Sequence, residues 1–223
     1  MTNLAKQITQ VKNRLTQAAD RSGQRDVRLI AVTKTVPVDV VGQALELGLT
    51  TFGENRVQEA LPKVAAFPQA QWHFIGKLQT NKVKDVVGQF QLIHSVDRWR
   101  LAKAIDKQAA EQNITVHALV QVNVGGEGQK GGVDPAELKD FLIATAGCKN
   151  LKIAGLMTIP PFTEDPEEAR PYFREMYRLF TICGKDGFAM KYLSMGMSND
   201  FTVAVEEGAN LVRVGSAIFG QRN

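Results

Sequence analysis

Apolar and polar positions along this chain repeat one phrase: a short apolar run, a few polar residues, a stretch with apolar positions at helical spacing, then glycine. The opening stretch sets Leu4, Ile8, Val11, Leu15 and Ala18 on one helical face, with Thr2 or Asn3 as cap and Gly23 as stop. Residues 27–35, VRLIAVTKT, follow as a β-branched, nearly continuous apolar run ending in polar residues. That is the pattern of a strand buried on both faces of a parallel sheet. Pro37 starts the next helix and Gly48 ends it. Further strands are predicted at 50–53, 71–75, 91–95, 115–124, 151–156, 191–194 and 210–214, with helices in the gaps. Two helices carry start signals: Asp134-Pro135 with Glu137, and Asp165-Pro166 with Glu168. The pattern amounts to about eight strand–helix units, the number that closes a (β/α)8 TIM barrel. The expected fold is therefore an α/β barrel with an additional N-terminal helix, one domain over 1–223; an open doubly wound sheet is the alternative.

With 223 residues, 44% hydrophobic and 22% charged, the chain can bury a sizeable core without disulfide or metal. Lys and Arg total 27 against 23 Asp and Glu, with no long run of one sign. The resulting charge of +4 is too weak to argue for nucleic acid, but it suits a small anionic ligand. Cys148 and Cys183 stand far apart, outside any metal-ligand or redox spacing, so a reducing, cytoplasmic setting is expected. The first residues carry Lys6, Lys12 and Arg14 and lack a signal peptide's apolar core. No stretch approaches the ~18 apolar residues of a membrane span.

In a barrel, function gathers at the C-terminal ends of the strands. The first strand delivers Lys34, an amine closing an apolar run. It is read either as a rim residue or as a nucleophile for an aldehyde, its pKa lowered by burial or a neighbouring cation. After the seventh strand comes SMGMSND (194–200), and after the eighth RVGSAIFG (213–220) opens a short terminal helix. Loops after strands seven and eight frequently bind phosphate. The N–H groups of Gly215 and Ser216, with the hydroxyls of Ser198 and Ser216, form a candidate cup, and Gly215 lets the backbone come close. Read more plainly, Ser198 is a helix cap, as Asn199 or Asp200 also could be, and Gly215 a turn. His73 and His94 read as structural hydrogen-bonders, His117 falls mid-strand, and no carboxylate pair supports a metal site. Met195 and Met197 are expected to pack around a pocket mouth. The glycine-rich stretch 125–132 reads as a long loop on the C-terminal face, without the register of a dinucleotide site.

The segments LIAVTKTVP, FGENRVQEALPK, WHFIGKLQTNKVK, IHSVD, VQVNVGGEGQKGG, GLMTIPP and LSMGMSNDFTVAVEEGANLVRVGSAIFG, with the final Arg222, run in order through almost the whole chain. Together they resemble the pyridoxal 5′-phosphate homeostasis protein family, stand-alone barrels related to the N-terminal domain of alanine racemase. Thr33 stands where a serine is common, and Asn210 where serine or threonine is.

The resemblance implies that pyridoxal 5′-phosphate is the cofactor and that Lys34 holds it as a Schiff base. Ser198, Gly215 and Ser216 would hold its phosphate, Arg213 would face the pyridine nitrogen, and Asn55 would lie near the ring. It also implies a role in balancing the pools of cofactor, related vitamers and amino or keto acids, without established turnover. Apo-enzymes that receive the cofactor, or a regulatory protein, are the partners it suggests. The contrasting expectation is a working enzyme such as an amino acid racemase. A related racemase takes a second acid–base tyrosine from an added β domain. This chain stops at Asn223, just after the eighth strand, which favours the binding protein and a monomer. A third expectation, a phosphate-binding metabolic barrel without pyridoxal phosphate, leaves Lys34 an ordinary cation.

Overall fold

The computed structural model describes residues 2–128 and 131–220. Eight parallel strands close into a barrel in chain order, β1 (Arg28–Val32), β2 (Thr51–Glu54), β3 (Gln71–Phe74), β4 (Leu92–Val96), β5 (Val116–Gln121), β6 (Leu151–Met157), β7 (Tyr192–Ser194) and β8 (Leu211–Val214). Closure is made by β8 against β1, with Ile30 opposite Arg213. The expected barrel is the one observed. The open sheet is excluded by that last pairing.

The additional helix α1 (Asn3–Ser22) is capped by Thr2, whose hydroxyl accepts from the Ala5 N–H at 3.3 Å, and stopped by Gly23 at φ +69°. Its stripe of Ile8, Val11, Leu15 and Ala18 is buried, and it packs on α8 (Phe201–Glu206) and α9 (Ser216–Phe219). Between strands lie α2 (Val38–Glu46), α3 (Val57–Ala66), α4 (Val83–Val86), α5 (Trp99–Glu111), α6 (Leu138–Ala146) and α7 (Arg170–Lys185). Pro37 is the residue before α2 rather than its first. Asp134 and Asp165 do cap, but each bonds the amide two residues on, at 2.8 and 2.9 Å, and opens a 3-10 turn before α6 and α7.

Two core layers result. The larger lies between sheet and helices and includes Phe52, Trp72, Ile93 and Leu193. The smaller fills the barrel interior with Ile30, Leu92, Leu119, Ala154, Met157 and Leu211. Strand alternation then sends His73, His94, Ser194 and Arg213 inward, so a polar string runs beside the apolar interior layer. His117 is the second residue of β5 and exposed, not mid-strand, because the strand begins only at Val116.

Candidate functional site

The C-terminal ends of the strands surround a cavity of about 270 Å³. Its lining includes all six residues singled out above: Lys34, Asn55, Ser198, Arg213, Gly215 and Ser216. Val32, Ile75, Ile159 and Met197 add apolar wall. Met195 does not reach this mouth. It follows inward Ser194, so alternation turns it outward into the helix–sheet core.

The first strand ends at Val32, two residues earlier than needed to carry Lys34 within it. Lys34 and Thr35 form a turn instead, with Thr35 at φ +61°, a conformation that is strained for a β-branched residue. Neighbouring groups hold this turn. The Thr35 N–H donates to Glu59 Oε2 at 3.1 Å, and this contact leads in drawing the Glu59 carboxyl below its ordinary range. On the other side, Thr33 Oγ1 donates to Glu54 Oε1 at 2.6 Å, and Lys63 Nζ donates to both Thr33 O (2.6 Å) and Glu54 Oε1 (2.7 Å). Lys63 and Glu54 are both buried, so their charges are effective only as a pair. Lys34 itself is half-buried in the cavity wall. Glu54, Glu59 and Lys63 escaped sequence reasoning. The available signal was a lysine in the buried stripe Val57, Ala60, Lys63 of α3, three positions apart and nine after the carboxylate closing a buried strand.

Asn55 follows Glu54, and its backbone lies against Gly76. A Cβ on Gly76 would meet the Asn55 carbonyl oxygen at 2.2 Å, so only glycine permits this approach. Asn55 Oδ1 is buried without a hydrogen-bond partner among the described residues, an acceptor in the cavity wall.

Opposite, the loop after β7 reverses at Gly196 (φ +88°) and presents Ser198. Ser198 Oγ accepts from Gly215 N (3.1 Å) and Ala217 N (3.2 Å), which leaves its O–H to donate. The Gly215 amide is thus spent on Ser198 rather than open to a ligand, whereas the Ser216 amide has no partner among the described residues. Asp200, not Ser198, precedes α8, and its carboxylate turns back to accept from Met197 N at 2.6 Å. Burial pushes the Asp200 pKa up against that bond.

Arg213 is 4% exposed and fixed by two donated bonds, Nη1 to Ser194 Oγ (2.6 Å) and Nη2 to Thr158 O (2.8 Å). Burial lowers its pKa to about 10, with Asp200 opposing, so it remains a cation at neutral pH. Ser194 continues to His94 Nδ1 (3.0 Å), and His94 Nε2 to His73 Nδ1 (3.0 Å). Burial lowers the pKa of both imidazoles, to about 4 for His73 and well below its ordinary value for His94. They are neutral hydrogen-bonding groups.

Of the glycine-rich stretch, residues 129 and 130 lie outside the described residues, as does Arg222. The rest leaves β5 through a bridge of Val122 to Val133 on the C-terminal side. Asn210, at a position where the resemblance favours a hydroxyl residue, bridges strands by accepting from Leu193 N and donating to Lys191 O, both at 2.8 Å.

An amine, a buried donor-only cation and a hydroxyl–amide cradle around one small cavity define the class: a parallel (β/α)8 barrel with a cationic pocket at its C-terminal face. The family model for the alanine racemase N-terminal domain matches residues 7–223. A pyridoxal phosphate homeostasis protein from Aquifex aeolicus is 46% identical, with 99% of each chain covered. Another from Escherichia coli is 34% identical over 100% of this chain and 98% of its own. The structure of PipY from Synechococcus elongatus with pyridoxal phosphate bound superimposes with a TM-score of 0.87 at 34% identity, covering 98% of this chain and 100% of PipY. The chain belongs to the pyridoxal phosphate homeostasis protein family, on the alanine racemase N-terminal domain fold.

Proposed function

We propose that this protein binds pyridoxal 5′-phosphate in the upper cavity, anchored at Lys34, and takes part in keeping the cofactor pool in balance without turning over amino acids. The observation that carries the reading is convergence: Lys34 from the first strand–helix turn and Ser198, Arg213 and Ser216 from the last two line one cavity. The ligand named in the PipY structure and the names of the relatives support the same choice.

The residues fit the group. When bound, pyridoxal phosphate supplies an aldehyde that condenses reversibly with a primary amine. Lys34 is the amine in this wall. The Ser198 hydroxyl, the Ser216 hydroxyl and the Ser216 amide supply donors for a phosphate, and charge-assisted bonds of this kind are about twice as strong as neutral ones. Ile75, Ile159, Val32 and Met197 supply apolar surface for a ring, and Asn55 Oδ1 supplies an unpaired acceptor.

Arg213 weighs against chemistry that needs a strong electron sink; proton exchange at one carbon needs less, so Arg213 alone leaves racemisation possible. A guanidinium donates but cannot accept, so opposite a pyridine nitrogen it favours the unprotonated ring and weakens the cofactor as an electron sink. Asp200, an acid in the cavity lining, spends Oδ1 on the Met197 amide.

Borohydride reduction of protein incubated with pyridoxal phosphate, followed by peptide mapping, tests the site. The pyridoxyl group is expected on Lys34, and the visible band is expected to vanish in Lys34→Ala while the far-ultraviolet spectrum stays native. A label on Lys77 or Lys82 would overturn the assignment.

A further inference from the structure

The N-terminal ends of the eight strands surround a second cavity, of about 570 Å³, at the opposite mouth of the barrel from the cofactor site. Among the described residues its lining includes three cations, Arg28, Lys152 and Lys191, and no carboxylate. Arg28 and Lys191 both lie over the Tyr192 ring, 5.9 and 5.0 Å from its centroid. The acid paired with Arg28, Asp26, lies 3.9 Å away, is 86% exposed and stands outside the lining, where solvent screens it.

At the floor is His73, 8% exposed, and the polar string above it fixes which ring nitrogen carries the proton. Arg213 can only donate, so Ser194 Oγ accepts from it. Among the described residues the Ser194 hydroxyl has one other partner, His94 Nδ1, so its proton goes there. Neutral His94 therefore carries its proton on Nε2 and donates it to His73 Nδ1. His73 in turn carries its proton on Nε2. That N–H has no acceptor among the described residues, and it opens into the cavity that the three cations surround. A cavity walled by one sign of charge concentrates the opposite ion, and a ring N–H opening into it offers that ion a donor.

We propose that the N-terminal mouth of the barrel is a second binding site, taking the carboxylate or phosphate group of a small anionic metabolite between Arg28, Lys152, Lys191 and the His73 Nε2–H. The site is separate from the upper cavity and does not depend on what that cavity binds. Through Ser194 and His94, its occupant is hydrogen-bonded to the guanidinium that faces the upper cavity.

The test is a titration of uniformly ¹⁵N-labelled full-length protein with sodium malonate and, separately, with inorganic phosphate, at ionic strength held constant with sodium chloride. Imidazole ¹⁵N resonances are followed by NMR. A saturable shift of the His73 ring signals is expected. It should weaken about tenfold or more in Arg28→Gln/Lys191→Gln and in Lys152→Gln, and persist in Ser198→Ala/Ser216→Ala, which alters the upper site alone. The rim residues are exposed, so these variants keep the core intact. Saturation by malonate alone assigns a carboxylate, by phosphate alone a phosphate, and by both the shared oxyanion. A His73 shift that only follows sodium chloride, or that survives undiminished in the rim variants, would overturn the proposal.

Discussion

Protonating the His73–His94 pair should set how the fold responds to mild acid. His73 titrates near 6.5 when unfolded and at about 4 in the barrel, because burial disfavours its charged form. Between those values the unfolded chain binds more protons, so the stability is fully present above pH 6.5 and is lost as pH falls toward 4. Linkage makes His73 alone cost about 2 kcal/mol between about pH 7.5 and about pH 5. His94, lowered for the same reason and by the nearby His73 and Arg213 charges, adds a loss of the same sign. The ordinary stability of a domain is about 5–15 kcal/mol, so this fraction is easily measured. Urea unfolding at the two pH values, on wild type and His73→Gln/His94→Gln, isolates the pair. Glutamine keeps a donor and an acceptor at each position but does not titrate, and exposed His117 and every carboxylate remain the same. The double variant is expected to start less stable at neutral pH and to lose at least about 2 kcal/mol less on acidification. Equal losses in the two proteins would refute the claim that these imidazoles are buried neutral.

Ser198→Ala and Ser216→Ala should each weaken pyridoxal phosphate severalfold in equilibrium titrations and leave unphosphorylated pyridoxal nearly unchanged; equal affinity for the two vitamers in wild type would remove the phosphate cradle. Lys63→Met leaves Glu54 a buried charge without its cation and should cost about 3–5 kcal/mol in chemical denaturation. Because Lys63 also bonds Thr33 O, that variant should also slow trapping of cofactor at Lys34. Incubation with L- or D-alanine in deuterated water should give α-proton exchange no faster than free cofactor does. Rapid exchange abolished by Lys34→Ala would replace the binding protein by an enzyme.

The eight strand–helix phrases were legible in the chain because the strands are short apolar runs, several of them β-branched, and several helices are marked by a stripe, a start signal or a glycine stop. Their number made closure the expected solution. Lys34 and the 194–220 loops were legible too, since a barrel's chemistry collects after its strands. What the linear pattern could not reveal was which buried residues point inward. In LIHSV (92–96) every position is buried, so no polar face marks the interior, and His94 becomes an inward residue only once its strand sits beside β3 and β5. The Arg213–Ser194–His94–His73 string joins positions up to 140 apart in sequence, which only closure brings within hydrogen-bond reach. The same holds for the turn at Lys34. Its strained Thr35 and its support by Glu54, Glu59 and Lys63 depend on β1 and β2 lying side by side with α3 against them. Local periodicity determined the architecture and the end of it where chemistry collects; the three-dimensional pairing of strands decided which buried polar groups meet, because a hydrogen bond answers to distance in space and not along the chain.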